Sequence, residues 1–181
     1  MRLFIAICLD EKIKRGIFEI QKSLRIDSLK PKWVDPEKAH ITLKFLGEIE
    51  KEKIKQIIDA LKEIPKPKPF IVSLGNIGAF PKKDYPRVIW IGIEKGCDSL
   101  SLIANSVETS LEKIGFPKEE RPFSAHLTLA RIKNPQKTNL LSPYLSKRFI
   151  IDEMGVKEIM LIESKLTPNG PIYTTLQAFP L

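Results

Sequence analysis

His40-Ile41-Thr42-Leu43 and His126-Leu127-Thr128-Leu129 are the two stretches on which the reading of this chain turns. They hold both histidines of a 181-residue sequence. In an extended strand successive side chains point to opposite faces. His40 and Thr42 therefore share one face, while Ile41, Leu43 and Phe45 are expected to turn into the core. The same alternation sets His126 and Thr128 against Leu127 and Leu129. Threonine fills 7 of the 181 positions. Meeting it two places after both histidines by chance is on the order of one in 700.

Outward from these motifs, the pattern repeats. Arg2 to Leu9 reads as a buried strand, followed by a helix capped by Asp10 with Ile13, Ile17, Ile20 and Leu24 on one face. The strand Ala39 to Leu46 then opens on His40. In the second half Val88 to Ile93 reads as a strand. A helix follows from Asp98 to Ile114, with Ile103, Val107, Leu111 and Ile114 inward, stopped by Gly115-Phe116-Pro117. The strand Phe123 to Ala130 carries His126. From Arg2 to His40 is 38 positions and from Arg87 to His126 is 39. Two strand-helix-strand units of matched spacing suggest an internal repeat, roughly 2–47 and 87–131, within one domain of two intertwined lobes. Between the halves, Glu50 to Ile64 has the stripe of an amphipathic helix. The proline-lysine run 65–69 is an extended connector. Phe70 to Ile77 is a strand, joined to Val88 by a loop with Pro81 and Pro86. Residues 133–148 read as a basic loop or short irregular helix, and Val156 to Ile162 and Ile172 to Ala178 as the closing strands. The fold class expected is α+β: two pseudo-twofold-related lobes, each an antiparallel sheet flanked by helices, with a cleft between the sheets.

Composition bounds the function. At 20.6 kDa and 43% hydrophobic the chain can bury a core, and its two cysteines cannot make a disulfide scaffold. No apolar run approaches the ~20 residues of a membrane helix. Leu3 to Leu9 stops at Asp10-Glu11-Lys12 without a small-residue cleavage site, so a strand is expected rather than a signal peptide. These features predict a soluble, cytoplasmic protein with no membrane partner. Lysine and arginine exceed aspartate and glutamate by 30 to 22, a net charge of +8. Such an excess suits an anionic partner such as nucleic acid, or serves solubility. It gathers at Lys30-Pro31-Lys32, Pro65 to Pro69, Pro81-Lys82-Lys83 and Ile132 to Arg148. Abundant Lys, Glu and Ile resembles a heat-adapted, thermophilic composition.

Two imidazoles and two hydroxyls facing a cleft suit in-line displacement at phosphorus. That reaction needs a base behind the attacking oxygen and an acid beside the leaving oxygen. The hydroxyls can hold non-bridging oxygens whose charge shifts in the transition state. Histidines 86 positions apart, without a second ligand motif, make a poor metal site, and no cofactor is expected. Phe80, Tyr85 and Phe123 are candidates to stack a base or simply to pack. Cys8 is expected to be a small buried hydrophobe in the first strand, and Cys97 to precede a helix.

The paired motifs resemble the His-x-Thr-x signature of the two-histidine phosphoesterase superfamily. Met1-Arg2-Leu3-Phe4-Ile5-Ala6, Thr42-Leu43-Lys44-Phe45-Leu46-Gly47, Pro86-Arg87-Val88-Ile89-Trp90 and Pro122-Phe123 through Arg131 are similar to the RNA 2′,3′-cyclic phosphodiesterases, also called 2′-5′ RNA ligases. The resemblance implies hydrolysis of a terminal 2′,3′-cyclic phosphate to a 2′-phosphomonoester and a weaker, ATP-independent 2′-5′ joining reaction. It implies His40 as proton donor, His126 as proton acceptor, and Thr42 and Thr128 as phosphate ligands. RNA is the implied partner, for a monomer needing no protein partner. Two alternatives remain: turnover of small cyclic phosphates, or an RNA-binding module without turnover. Arg131 resembles a phosphate-binding position too, but strict alternation from His126 turns it toward the core. It reaches the cleft only if the strand ends or bulges first.

Overall fold

The structure, a computed structural model, describes residues 1–147, 149, 152–168 and 170–181. The described residues build β1 (Arg2–Cys8), α1 (Glu11–Ser23), β2 (Pro31–Trp33), β3 (His40–Glu48), α2 (Ile54–Lys62), β4 (Phe70–Lys82), β5 (Tyr85–Lys95), α3 (Cys97–Glu112), β6 (His126–Ile132), α4 (Ser142–Leu145), β7 (Met154–Val156), β8 (Glu158–Thr167) and β9 (Gly170–Pro180). One sheet runs in the order β3-β1-β8-β9 and the other in the order β2-β6-β5-β4-β7, with every pairing antiparallel. The fold is therefore α+β with two lobes, and each lobe owns one motif strand.

Local chemistry explains the elements. The Asp10 carboxylate accepts the Ile13 N–H at 2.9 Å, capping α1, whose Ile13, Ile17 and Ile20 are buried. Helix α2 opens as a single 3₁₀ turn at Lys51–Lys53 and then buries Ile57 and Leu61. Helix α3 follows Gly96 at φ +85°, where a Cβ would stand 2.6 Å from the Ile71 carbonyl oxygen. Only glycine fits both the backbone and the space. Prolines 81 and 86 do not make the expected loop. They lie opposite each other at the end of a hairpin in which β4 runs to Lys82 and β5 starts at Tyr85, with a register slip after Phe80.

The helices cross over between the lobes. Helix α1 follows β1 in the first sheet, yet Gln21, 8% exposed, donates from Nε2 to the Leu129 carbonyl of β6 at 3.1 Å. The same nitrogen donates to the Val34 carbonyl at 2.7 Å. Helix α3 follows β5 in the second sheet, yet Glu108 pairs with Lys44 of β3 at 2.6 Å. One apolar core joins Ile5, Ile17, Ile89, Ile103 and Leu127 from both halves.

Several expected boundaries move. The strand expected from Phe123 starts at His126, Phe123 instead packing partly against the core. The basic segment after Ile132 contains only the single turn α4, and its last residue, Arg148, lies outside the described residues. Short β2 has no counterpart among the expected strands; it is held at the edge of β6. Cys8 is not a buried hydrophobe. It ends β1 on the surface, with its Sγ–H donating toward the Met160 Sδ at 3.3 Å.

Phe45 is the main correction. Ala6 pairs with Thr42 but Ile5 pairs with Lys44, so Leu43 is an extra residue on β3. Trp90 pairs with Thr128 but Ile89 with Ala130, so Leu129 is the extra residue on β6. Both are β-bulges, and both fall three residues after the histidine. A bulge breaks alternation. Leu43 and Lys44 are buried in succession and Phe45 emerges at 57% exposure. Leu129 and Ala130 are likewise buried in succession, and Arg131 emerges.

Candidate active site

Each histidine is the first residue of its strand, two residues after a carbonyl that its ring can reach. The His40 Nδ1 lies 2.8 Å from the Lys38 carbonyl oxygen, and the His126 Nδ1 lies 2.7 Å from that of Ser124. A carbonyl can only accept, so Nδ1 carries the hydrogen in both rings. Among the described residues neither Nε2 has a hydrogen-bond partner, so that nitrogen is the one each ring can offer to a substrate.

The walls around the two rings match. Phe4 and Tyr173 flank His40 at centroid distances of 4.7 and 5.4 Å, the second edge-on. Phe80 and Trp90 flank His126 at 5.3 and 6.1 Å, here with Phe80 edge-on. Phe4, Ala6 and Ile162 form a small apolar cluster apart from the main core, joined by Met160 and Tyr173, as the floor beneath His40. Thr42 and Thr128 lie on the histidine side of their strands, half-buried.

The bulge on β6 brings Arg131 to the same face as His126 and Thr128, as the conditional expectation required. The motif strands β3 and β6 approach each other, and the Arg131 charge acts on groups of the opposite sheet. Burial holds the His40 imidazole below the ordinary histidine range. The Lys38 carbonyl opposes that shift, and Arg131 adds to it. Burial pushes the Tyr173 hydroxyl up, against the pull of Arg131 and Arg2. The structure thus gathers Arg131 and Tyr173 around His40. Phe80 lies beside His126, Tyr85 sits at the exposed end of the β4–β5 hairpin, and Phe123 lies against the core.

Trp90 and Tyr173 are site residues that the motifs do not announce. Trp90 has a signal in retrospect, because Gly78 faces it across the β4–β5 pair. A Cβ at Gly78 would stand 2.2 Å from the indole, so the ring lies on bare backbone. Gly78→Ala is expected to push Trp90 off the floor beside His126, costing roughly 1–3 kcal/mol by overpacking. Thermal unfolding and near-ultraviolet circular dichroism would read both effects. An unchanged melting curve with unchanged aromatic signal would refute the contact.

Two antiparallel sheets, each presenting a backbone-anchored imidazole and a threonine where their motif strands approach, make a phosphoesterase architecture. The chain belongs to the LigT-like phosphoesterase family, whose family model matches residues 7–90 and again residues 91–173. Among its relatives, the RNA 2′,3′-cyclic phosphodiesterase of Archaeoglobus fulgidus is 41% identical over 99% of both chains. That of Methanothermobacter thermautotrophicus is 34% identical over 100% of this chain and 99% of its own. A crystal structure of a Thermus thermophilus protein superposes with a TM-score of 0.84 at 30% identity, covering 100% of this chain and 98% of that one. Escherichia coli LigT complexed with 3′-AMP superposes with a TM-score of 0.79 at 26% identity, covering 99% and 97%.

Proposed function

We propose that this enzyme opens the 2′,3′-cyclic phosphate at the end of an RNA to leave a 2′-phosphomonoester, without a metal ion. The observation that carries this is the pair of imidazoles with Nδ1 committed to backbone carbonyls and Nε2 free. The names of the full-length relatives and the 3′-AMP complex of LigT support the substrate class.

In the proposed reaction, His126 accepts a proton from water as the water oxygen bonds to phosphorus. The bond from phosphorus to the 3′ oxygen breaks, and His40 gives that oxygen its proton. Thr42, Thr128 and Arg131 hold the non-bridging oxygens, where charge rearranges in the transition state. When an RNA 5′-hydroxyl takes the place of water, the same steps give a 2′-5′ linkage, driven by the cyclic ester rather than by ATP. Both motifs come from one chain, which fits a monomer and a domain built from two related halves, 2–47 and 87–131. No helix among the described residues is long and apolar enough to cross a membrane, and we place the enzyme in the cytoplasm with RNA.

The test is turnover of an RNA ending in a 2′,3′-cyclic phosphate, with and without chelator. Conversion unchanged by chelator is expected, and its loss would overturn the metal-free mechanism. The pH profile should be bell-shaped. A proton donor must carry its proton, so the lowered value at His40 is expected to bring the pH optimum of kcat/KM below that of a pair of ordinary histidines. A bound phosphate offsets Arg131, so the optimum of kcat should lie at higher pH. Arg131→Gln removes one cause of the depression. It should move the kcat/KM optimum upward in pH while raising KM, whereas an optimum that stays in place would remove Arg131 from the site.

A further inference from the structure

Lys32 of β2 pairs in register with Arg131 of β6, and Arg131 pairs on its other side with Val88 of β5. Residues directly opposite in an antiparallel pair share a face, so Lys32 stands beside Arg131 on the side that carries Thr128 and His126. Its strand neighbour Trp33 turns the other way, against the core, while Lys32 is exposed. Like charges directly opposite across two strands are destabilising. Among the described residues neither Lys32 nor Arg131 has an ion-pair partner.

Strand β2 is also fixed where it is. The Val34 N–H donates to the Leu129 carbonyl at 2.9 Å, and the buried Gln21 amide bridges that oxygen to the Val34 carbonyl. The anchoring point is the bulge residue itself. One amide therefore holds together the bulge that turns Arg131 outward and the end of the strand that carries Lys32. Two unneutralised cations are kept adjacent at a braced position, against their own repulsion.

We propose that Lys32 binds the phosphate next along the chain from the reacting one, making a polynucleotide end a better substrate than a cyclic mononucleotide. The proposal rests on the cyclic-phosphodiesterase reading and adds the length of substrate that the site recognises. Arg131 serves the reacting phosphate, and Lys32 extends the cationic row by one strand. A mononucleotide has nothing to place there.

The test compares uridine 2′,3′-cyclic phosphate with a dinucleotide carrying the same cyclic end and one further phosphate. The wild-type enzyme should show lower KM for the dinucleotide. Lys32→Gln should shrink that preference on the order of fivefold, the upper range for an exposed ion pair, and Lys32→Arg should keep it. The slope of log KM against log salt for the dinucleotide should fall by about 0.7, the value of one single-strand phosphate contact. A preference unchanged in Lys32→Gln overturns the proposal. If neither substrate is opened, the hydrolytic reading falls by itself. Binding of a 3′-phosphorylated dinucleotide against 3′-AMP, measured in both proteins, then decides on Lys32 by the same ratio.

Discussion

His40→Ala and His126→Ala are each expected to lower kcat by about 10²–10⁴-fold, the usual share of a positioned acid or base. Neither ring supports the backbone beyond one hydrogen bond from Nδ1 to a carbonyl two residues away. Both proteins should therefore fold. His40→Gln and His126→Gln keep more of the side-chain volume, and serve as second variants should an alanine leave the aromatic wall loose. The double variant should be little worse than either single one, because acid and base act as a unit. The pH profiles then separate the roles. Loss of the donor removes the basic limb and loss of the acceptor removes the acidic one. A cyclic substrate with sulfur at the 3′ bridging position leaves without needing a proton, so it should restore turnover to the His40 variants and not to those at His126. Rescue of the His126 variants instead would exchange the two assignments, and full activity in any single variant would sink the paired-imidazole mechanism.

Glu108→Ala is expected to produce the largest loss of stability of any single change considered, about 3–5 kcal/mol. Lys44 is 4% exposed and its ammonium reaches two acceptors, Glu108 at 2.6 Å and the Pro117 carbonyl at 2.8 Å. Removing the carboxylate leaves a buried cation facing one carbonyl. For a domain of this size each kcal/mol shifts the melting temperature by about 2–4 °C, so the fall should be on the order of 10 °C. The pair joins α3 of one half to the strand of the other that carries His40, and it sits next to the bulge at Leu43. Loss of the pair should therefore free Phe45 and Thr42 as well as weaken the fold. Lys44→Met combined with Glu108→Leu should regain most of the stability, since an apolar pair carries no desolvation cost. A change below about 1 kcal/mol in Glu108→Ala would show that water already reaches the ammonium.

The motif faces and the main helices are legible in the sequence because they depend on local periodicity. Ile13, Ile17 and Ile20 mark α1, and the alternation His-x-Thr fixes which way both motif side chains point. The bulges are different. Strict alternation buries Phe45 and Arg131, and the extra residue that exposes them leaves little mark within its own strand. The second motif does carry a faint sign in Leu129-Ala130, two apolar residues in succession before Arg131. The first motif has none, since Lys44 is buried only because Glu108 meets it from 64 positions away. The same limit hides β2, three residues led by a proline, whose extended form is set by its partner β6. Tyr173 is hidden for the same reason, being brought to His40 by a strand from the far end of the sequence. Arg131 is open to either placement in the sequence, and only the register decides it.

The first sheet has a temporal consequence. Strand β1 lies between β3 and β8, with Leu3 opposite Glu163 and Ala6 opposite Met160. A ribosome delivers these partners about 160 residues apart, at roughly 5–20 residues per second. Until residues 158–180 emerge, β1 has an open edge, Phe4 is uncovered, and His40 lacks the Tyr173 side of its pocket. The nascent chain can assemble the second sheet's central strands earlier, since β4, β5 and β6 follow one another closely. Synthesis thus leaves the His40 imidazole in an incomplete pocket until the last strand arrives.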